Sequence, residues 1–289
     1  MFRRRKFRLR LASRTLELGE RTLVMGVLNV TPDSFSDGGL FLRPGEAIER
    51  ALALERAGAD ILDIGGESTR PGAASITAEE ELGRVLPVLM GLRGRLKIPI
   101  SLDTQKSAVA EAAVVAGAEM LNDVSALRSD AALAEMARRH CLPMILMHMR
   151  GTPRTMQKRP FARNVLRDVT SGLRAALARA RRAGLEKTQI VLDPGIGFGK
   201  SFKQNYQLLA HLPKLAALGC PLMVGTSRKA FLGATLARSG AAAPTEERIW
   251  GTAATVAASI LGGAHIVRVH DVAEMVQVAR VTDAVLNSD

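Results

Sequence analysis

Cysteine, aromatic residues and long apolar runs are scarce in this sequence, and each shortage argues against a class of protein. The two cysteines, Cys141 and Cys220, have no CxxC spacing and no neighbouring histidine pair, so we expect both to be reduced, half-buried and inert. No run of about 20 apolar residues occurs, so no transmembrane helix is expected. Aromatic residues make up 3% of the chain and do not alternate with basic ones, so a nucleic-acid partner is not expected.

Positive charge is plentiful, but much of it lies at the start of the chain. Lysine and arginine total 40 against 28 acidic residues, a formal net charge of +12. Residues 1–10 hold six of the basic residues, and without these six the net charge falls to +6. We expect a solvated basic arm there, and a remaining chain that suits an enzyme with anionic substrates. No apolar segment follows the arm before Glu17, as a signal peptide requires, so we expect a cytoplasmic protein with no membrane partner.

Short apolar runs alternate with longer helical patterns along most of the chain. A small hairpin is predicted within residues 7–20, where apolar residues alternate around Ser13. Eight strand-then-helix units follow it. The strands are predicted near 22–28, 60–64, 98–102, 120–124, 143–147, 189–193, 221–225 and 264–269. The helices are predicted near 45–58, 78–94, 105–117, 130–140, 162–183, 203–217, 246–261 and 272–286.

This alternation predicts the fold class. Strands that alternate with helices form parallel sheets, and eight such units in 289 residues favour a closed barrel over an open doubly wound sheet. The predicted fold is an α/β protein with a single (β/α)8 TIM barrel, in which the N-terminal β-hairpin closes the bottom of the barrel. We expect one domain over residues 1–289, with residues 1–20 forming the basic arm and the hairpin.

Polar residues fall at the carboxyl ends of the predicted strands. In a barrel these ends converge on one mouth, where active sites are built. The longest loops, 31–43, 65–77 and 148–161, open on the same face, and we expect them to act as lids. The strand-end residues are Asn29, Asp63, Asp103, Asn122, Asp123, His148, Asp193, Ser227, Arg228, Lys229, Arg268 and His270.

Three of these residues are aspartates that follow apolar strand residues, namely Asp63, Asp103 and Asp193. An unpaired charge at the rim of a barrel core is costly, so each carboxylate needs a partner. The partner is either a divalent cation or a flat heterocycle with a row of N–H donors, to which Asn122 is also matched. Any one aspartate could instead cap the helix that follows, but this explanation is poor for all three together.

Cationic groups are organised in the same way. Ser227-Arg-Lys229 opens a predicted helix, whose free N–H groups and positive dipole end indicate an anion site. Arg268 and His270 are two positions apart on the last predicted strand, so their side chains face the same side. His270 could instead be a core residue whose ring nitrogens are hydrogen-bonded within the protein. The glycine-rich run 195–201 is not a Walker A loop, because Pro194 stands where glycine is needed, and we expect its glycines to let the loop approach a ligand. A ligand with an N–H-rich ring at one end and a phosphate at the other would satisfy both sets of groups.

Eight motifs then carry a resemblance that runs from Thr22 to the C-terminus. They are GVLNVTPDSFSDGG (26–39), DILDIGGESTRPG (60–72), SLDT (101–104), NDVS (122–125), LMHMRGTP (146–153), LDPGIGFGK (192–200), GTSRK (225–229) and RVHDV (268–272). The chain resembles the pterin-binding TIM-barrel family of dihydropteroate synthases. These enzymes of folate synthesis join 6-hydroxymethyl-7,8-dihydropterin pyrophosphate to p-aminobenzoate. Arg150 and Ser201 depart from the commoner Gln and Thr, but both lie on loops and disturb no implied role.

The resemblance implies a role for particular side chains. The implied pterin site is Asp103, Asn122, Met147, Asp193, Lys229 and Arg268. The implied pyrophosphate site is Asn29, Thr69, Arg268 and His270, with Asn29 helping to hold the cofactor Mg2+ and Asp63 as a nearby support. The implied p-aminobenzoate site is Phe35, Thr69, Arg70, Pro71, Phe198, Ser227 and Lys229. The residues implied in catalysis are Asp103, Asp193, Lys229, Arg268 and His270, and the family resemblance also implies a homodimer formed through the last helices.

The implied reaction is a dissociative substitution, in which cations stabilise the departing pyrophosphate and aspartates stabilise the pterin-methyl cation. Two alternatives share the fold. A pterin-binding methyltransferase domain that serves a corrinoid protein has no need for Ser227-Arg-Lys229 or Thr69-Arg-Pro71, which are both present. A non-catalytic paralogue that only binds pterin would release no pyrophosphate. A nucleic-acid binder is supported by net charge alone.

Overall fold

Eight parallel strands follow an antiparallel hairpin in this computed structural model, which describes residues 4–31, 44–70, 72–156, 163–237 and 240–288. The hairpin consists of β1 (Phe7–Arg10) and β2 (Thr15–Leu18). The parallel strands are β3 (Leu23–Asn29), β4 (Ile61–Gly65), β5 (Ile100–Asp103), β6 (Met120–Asp123), β7 (Met144–Met147), β8 (Ile190–Asp193), β9 (Met223–Val224) and β10 (Ile266–Val269).

The parallel strands form a nearly closed barrel. From β3 to β8 each strand pairs with the next, β10 pairs with β9, and β10 also pairs with β3, where Ile266 lies opposite Leu23. An isolated parallel bridge between Leu192 and Leu222 joins β8 to the segment that enters β9. The prediction of a (β/α)8 TIM barrel is therefore confirmed.

Helices connect the strands along the outside of the barrel. The described helices are α1 (Pro44–Arg56), α2 (Ala78–Leu92), α3 (Ser107–Val115), α4 (Ala132–Arg139), α5 (Val165–Arg182), α6 (Phe202–Ala210), α7 (Leu212–Ala216), α8 (Ala230–Thr235), α9 (Ile249–Leu261) and α10 (Val272–Leu286). The prediction of one helix over 203–217 is wrong, because the helix is interrupted at His211 and forms two separate helices, α6 and α7. Pro213 explains the break, since proline has no N–H to donate and its ring clashes with the carbonyl four residues earlier.

The hairpin closes the bottom of the barrel, as predicted. Leu9, Leu11 and Leu18 are buried and pack against side chains near the amino ends of the parallel strands. Those strand residues are Leu23, Met25, Ile61, Met120, Ile145, Val191, Met223 and Ile266. A larger cluster fills the space between the strands and the surrounding helices. Burial of both apolar layers supplies the main driving force for this fold.

The expectation of a solvated basic arm is wrong for Arg4. Its side chain is buried and donates to Asp283 Oδ1 on α10 at 2.6 Å and to Thr22 Oγ1 at 2.7 Å. Lys6 and Arg8 are exposed, but each has an acidic partner, Glu20 at 2.7 Å for Lys6 and Glu17 at 2.9 Å for Arg8. Part of the positive charge near the start of the chain therefore pairs with acidic side chains of the same molecule.

Both cysteines are free, but neither is half-buried as predicted. Cys141 is exposed and Cys220 is buried. Cys141 follows α4, and Cys220 lies just before β9, where a strand between packed layers leaves little exposed surface. In the part of the chain that the structure describes, no helix has both the length and the apolar character needed to cross a membrane.

Candidate active site

A cavity of about 670 Å³ opens at the carboxyl ends of the strands. The residues implied in binding and catalysis lie around it, apart from Phe35 and Pro71, which fall outside the described residues. Of the predicted strand-end residues, Asp63, Asp123 and His148 do not line this cavity. The predicted residues that line this mouth cavity are Asn29, Thr69, Arg70, Asp103, Asn122, Met147, Asp193, Phe198, Ser227, Lys229, Arg268 and His270. Most of the predicted lid loop 31–43, and residues 157–161 of the loop 148–161, also lie outside the described part of the chain.

The two-residue period of the strands explains how these side chains meet. Ile61, Met120, Ile145, Val191 and Ile266 form an apolar layer inside the bottom of the barrel. Successive side chains of a strand point to opposite faces, so the residue two positions later faces the interior one layer higher. Those residues are Asp63, Asn122, Met147, Asp193 and Arg268. One strand pattern therefore builds both the apolar bottom and the polar mouth.

Arg268 bridges two of the aspartates. Its Nε donates to Asp63 Oδ2 at 2.6 Å and its Nη2 donates to Asp103 Oδ2 at 3.0 Å. Asn122 Nδ2 also donates to Asp63 Oδ2, at 3.0 Å. From the sequence, a divalent cation or a ligand ring was expected as the partner of Asp63 and Asp103, and the cationic groups were expected to bind the other end of the ligand. In the structure the partner of both carboxylates is Arg268, because β10 lies beside β3 and brings the guanidinium into the acidic layer.

Some acceptors in this layer keep free capacity. Asp63 Oδ1 and Asn122 Oδ1 are buried and have no hydrogen-bond partner within the described residues. Buried acceptors are normally paired, and an unpaired one costs about 1–3 kcal/mol. Asn122 lines the cavity, so its amide oxygen is suited to accept from an N–H of a bound ligand.

Burial shifts the charge states at the mouth. It raises the pKa of Asp103, an effect that the neighbouring Asp63 reinforces and the Arg268 guanidinium opposes. Burial also raises the pKa of Asp193, against the Gly195 N–H that donates to Asp193 Oδ1 at 2.7 Å. It lowers the pKa of Lys229 to about 8, with a further contribution from Arg268. For Arg268 itself burial acts to lower the pKa, but Asp63 and Asp103 together outweigh this effect and raise it.

His270 is neutral in this site. Burial, followed by the charge of Arg268, lowers the pKa of His270 to about 3. Ser227 Oγ accepts from the His270 backbone N–H at 3.2 Å and lies 3.0 Å from Nδ1. Ser227 Oγ can donate its hydrogen to Nδ1, and in that tautomer Nε2–H is the donor of the neutral ring. His270 can donate a hydrogen bond to an anion, but it adds no positive charge.

The segment around Arg228 has a constrained backbone that the sequence did not reveal. Arg228 has φ 60°, in the left-handed region. Its N–H donates to Thr252 Oγ1 at 3.2 Å and its carbonyl accepts from Arg248 Nη1 at 2.9 Å. Its side chain pairs with Asp271, with Nε at 3.0 Å from Oδ2. These contacts fix the directions of the neighbouring Ser227 and Lys229. A short helix, α8, begins after them at Ala230, although none of the predicted helix ranges covers it.

The glycine-rich loop after β8 approaches the site closely, as predicted. Gly195 has φ +65°, and a Cβ there would lie 1.9 Å from the carbonyl oxygen of His148, so no other residue fits. Phe198 follows on this loop, and its ring centroid lies 4.0 Å from Lys229 Nζ, a cation–π contact. The sequence reasoning assigned no role to Lys200, which is buried at the end of the same loop. The sequence signal that could have identified Lys200 was its place in a glycine-rich segment that follows a strand.

The donor set limits how a metal could be held. Among the described residues, no group of three or more His, Cys, Asp or Glu side chains is arranged to bind a metal ion. Asn29 ends β3 and lines the cavity, so its amide oxygen is a neutral ligand at the mouth. Magnesium sites commonly combine one or two protein oxygens with phosphate oxygens and waters, so this set fits a metal that binds together with a diphosphate.

Known proteins share both the sequence and the architecture of this site. A family profile described as "Pterin binding enzyme" matches residues 25–270. The chain is 48% identical to the dihydropteroate synthase of Synechocystis sp. over 266 residues, which are 92% of this chain and 91% of that relative. The structure of Yersinia pestis dihydropteroate synthase with a sulfonamide drug complex superposes with a TM-score of 0.90 at 41% identity, covering 98% of this chain and 100% of that one.

The structure of the Xanthomonas albilineans enzyme with 4-aminobenzoic acid gives a TM-score of 0.89 at 43% identity, covering 98% of this chain and 99% of that one. These relatives match this chain over nearly its whole length and theirs, and the matched range holds the strand-end residues from Asn29 to His270. The chain therefore belongs to the dihydropteroate synthase family of pterin binding enzymes.

Proposed function

We propose that this transferase condenses 6-hydroxymethyl-7,8-dihydropterin pyrophosphate with p-aminobenzoate, giving 7,8-dihydropteroate and pyrophosphate. The single observation that carries the proposal is the mouth cavity, in which buried acceptors, the cations Lys229 and Arg268 and a neutral histidine converge from separate strand ends. Such a cavity matches a substrate that has an N–H-rich ring and an anionic leaving group at opposite ends.

The pterin end of the proposed substrate faces the inner layer of the mouth. Asp103, Asp193 and the unpartnered Asn122 Oδ1 offer acceptors to ring N–H groups, and Lys229 offers a donor to a ring acceptor. Met147 is buried on β7 beside Asp193, and Arg268 adds a planar guanidinium on the opposite side of the barrel. An acceptor-rich wall of this kind favours a flat heterocycle with several N–H groups over a purely apolar one.

The diphosphate end is met by Arg268, His270, Thr69 and Asn29. Arg268 supplies charge, while His270 supplies an N–H donor held in direction by Ser227. Asn29 is the residue that would hold Mg2+ jointly with the diphosphate, and the ion when bound would neutralise charge on the leaving group. The guanidinium is already oriented by two carboxylates, so it need not reorganise when that charge develops.

The p-aminobenzoate is proposed to lie outside the pterin, between the loops. Phe198 offers an aromatic face, and Ser227 and Lys229 offer a hydroxyl and a cation to the carboxylate. Thr69 and Arg70 approach from the loop after β4, and Phe35 and Pro71 are assigned to the same subsite from outside the described residues. The structure of the Xanthomonas albilineans relative contains 4-aminobenzoic acid, which supports p-aminobenzoate as the second substrate.

The proposed mechanism is a dissociative substitution. The C–O bond between the pterin methylene and the diphosphate breaks first, and Arg268 and His270 stabilise the departing oxygen. Asp103 and Asp193 stabilise the cation left on the pterin methylene. The aniline nitrogen of p-aminobenzoate then attacks that carbon. The arylammonium formed in this way is acidic enough to give its proton to water or to the released pyrophosphate, so no strong general base is required.

A direct test mixes the purified protein with both substrates and Mg2+, and measures dihydropteroate and pyrophosphate. We expect stoichiometric formation of the two products. Binding of the pterin without release of pyrophosphate would instead support a non-catalytic paralogue. Methyl transfer to a corrinoid protein without condensation would instead support a methyltransferase function.

We also propose that two copies of the chain associate through α9 and α10, which pack against each other. Helix α9 contains no charged residue, and Trp250 on it is 79% exposed. Val281 and Val285 on α10 are exposed as well. Exposed apolar side chains on neighbouring helices are typical of a subunit interface. Light scattering of the wild type and of Trp250→Glu tests this proposal, with a dimer expected for the first and a monomer for the second.

A further inference from the structure

The loops that follow β7 and β8 pack so closely that two positions require glycine. A Cβ on Gly195 would lie 1.9 Å from the carbonyl oxygen of His148, and a Cβ on Gly199 would lie 2.6 Å from that of Arg150. The carbonyl groups of the first loop therefore point directly at the backbone of the second. Carbonyl oxygens crowded in this way need donors between them.

Lys200 supplies these donors from a buried position, with 2% of its surface exposed. Its Nζ lies 2.9 Å from His148 O, 2.7 Å from Gly195 O, 3.0 Å from Phe198 O and 3.0 Å from His148 Nδ1. A protonated lysine has three hydrogens and no acceptor, so it donates to these four partners with one hydrogen shared between two of them. One side chain thus bonds to both loops.

The histidine of this set is also fixed from behind. Burial, followed by the charge of Lys200, lowers the pKa of His148 to about 2, so the ring is neutral and Nδ1 can accept. The ring hydrogen is then on Nε2, which faces Asp168 Oδ2 at 3.6 Å. Gly172 of α5 leaves space for the ring, because a Cβ there would lie 2.3 Å from His148 Cδ2.

The contacts of Lys200 lead directly into the mouth cavity. The Phe198 carbonyl accepts from Lys200, and the Phe198 ring lies 4.0 Å from Lys229 Nζ. The Gly195 carbonyl accepts from Lys200, and the Gly195 N–H donates to Asp193 Oδ1 at 2.7 Å. Phe198 is therefore held directly, whereas Asp193 is reached through one intervening residue and is also fixed by its own strand.

We propose that Lys200 is a positioning residue, which bonds the loops after β7 and β8 together and so places Phe198 for p-aminobenzoate. This inference rests on the function proposed above for the same cavity. It predicts an unequal effect on the two substrates. Loss of the ammonium should weaken p-aminobenzoate use strongly and pterin binding weakly, because Asp193 keeps its position on β8.

The test compares Lys200→Met and Lys200→Gln with Lys203→Met, a matched change at an exposed lysine on α6. We expect the KM for p-aminobenzoate to rise about tenfold or more in Lys200→Met, as the loss of a charge-assisted hydrogen bond predicts. Lys200→Gln retains two N–H donors, so its KM should lie between those of Lys200→Met and wild type. The Kd for the pterin substrate should change less than threefold, and Lys203→Met should match wild type in both.

Amide hydrogen exchange provides a second measurement that does not depend on turnover. Residues 195–199 should exchange faster in both Lys200 variants than in Lys203→Met, even if the wild type fails to condense the two substrates. That result would keep the positioning role and reject the proposed function. Equal exchange and an equal KM in the Lys200 and Lys203 variants would overturn the positioning role. If Lys200→Met does not fold, the comparison of Lys200→Gln with Lys203→Met decides the question.

Discussion

Each end of the barrel pairs an arginine with carboxylates, yet the two ends use the pair differently. At the bottom, both oxygens of Asp283 have partners, with Arg4 and the Thr22 hydroxyl on Oδ1 and the Thr22 N–H on Oδ2. At the mouth, Arg268 holds Asp63 and Asp103, but Asp63 Oδ1 has no partner among the described residues. A carboxylate with every acceptor paired is suited to stability, whereas one with acceptors to spare is suited to binding.

The largest expected effect of a substitution at either end is that of Asp103→Asn on kcat. The substitution removes a negative charge beside the developing pterin cation, and we expect kcat to fall by about 100- to 1,000-fold. Arg268 keeps its bond to Asp63, so the free energy of unfolding should change little. Steady-state kinetics and urea unfolding measure the two quantities. A normal kcat with only weaker pterin binding would contradict the electrostatic role.

The converse change is Arg4→Met at the bottom. Removing one partner of a buried ion pair leaves an uncompensated charge on Asp283, and we expect the free energy of unfolding to fall by about 3–5 kcal/mol. The folded variant should keep the kcat and KM of wild type, because Arg4 is at the other end of the barrel. Lys6→Met is the control, since its pair with Glu20 is exposed to solvent and should contribute little to stability.

The charge states of the mouth predict a bell-shaped dependence of kcat/KM on pH. Burial raises the pKa of Asp103 to about 8, so the carboxylate forms and activity rises only as pH approaches about 8, which makes the maximum narrow. Burial lowers the pKa of Lys229 to about 8, so its cation is lost and activity falls above about pH 8. His270, with its pKa at about 3, should add no step near neutral pH. A pH–rate profile of Asp103→Asn that kept the acid limb would assign this limb to another group.

The smallest expected effect is that of Ser101→Ala. Ser101 is buried on β5 opposite Asp63, and its Oγ has no hydrogen-bond partner within the described residues. Removing an unsatisfied buried hydroxyl should leave the free energy of unfolding unchanged or raise it by up to about 1 kcal/mol. Chemical unfolding of the variant checks this, and a loss of more than about 1 kcal/mol would indicate a water bridge from Oγ.

Local sequence patterns predicted the barrel and the strand ends well, for a physical reason. Strand residues two positions apart face the same side, so Asp63, Asp193 and Arg268 could be assigned to one mouth from spacing alone. The partner of each group could not be assigned in this way. Arg268 meets Asp63 across 205 residues of sequence, and Arg4 meets Asp283 across 279. Such pairings depend on how the barrel closes.

Backbone conformation was the second feature that the sequence left open. Arginine seldom adopts a positive φ, so nothing local indicated that Arg228 would do so. The contacts that hold it come from Thr252, Arg248 and Asp271, which belong to later elements. Lys200 was overlooked for a similar reason, because its four acceptors come from two different loops. The roles of the site residues in binding and catalysis stay predictions until the kinetic tests are made.

The junction between β8 and β9 has a mechanical consequence. Strand β9 has two residues, and β8 meets this side through the isolated bridge from Leu192 to Leu222. Asp193 lies on one side of this junction and Ser227 on the other, so a molecule that contacts both would link the ends of β8 and β9 across the weakest part of the barrel. A molecule bound at the mouth should then make local opening of the barrel strands rarer, including at the end farthest from the bound molecule.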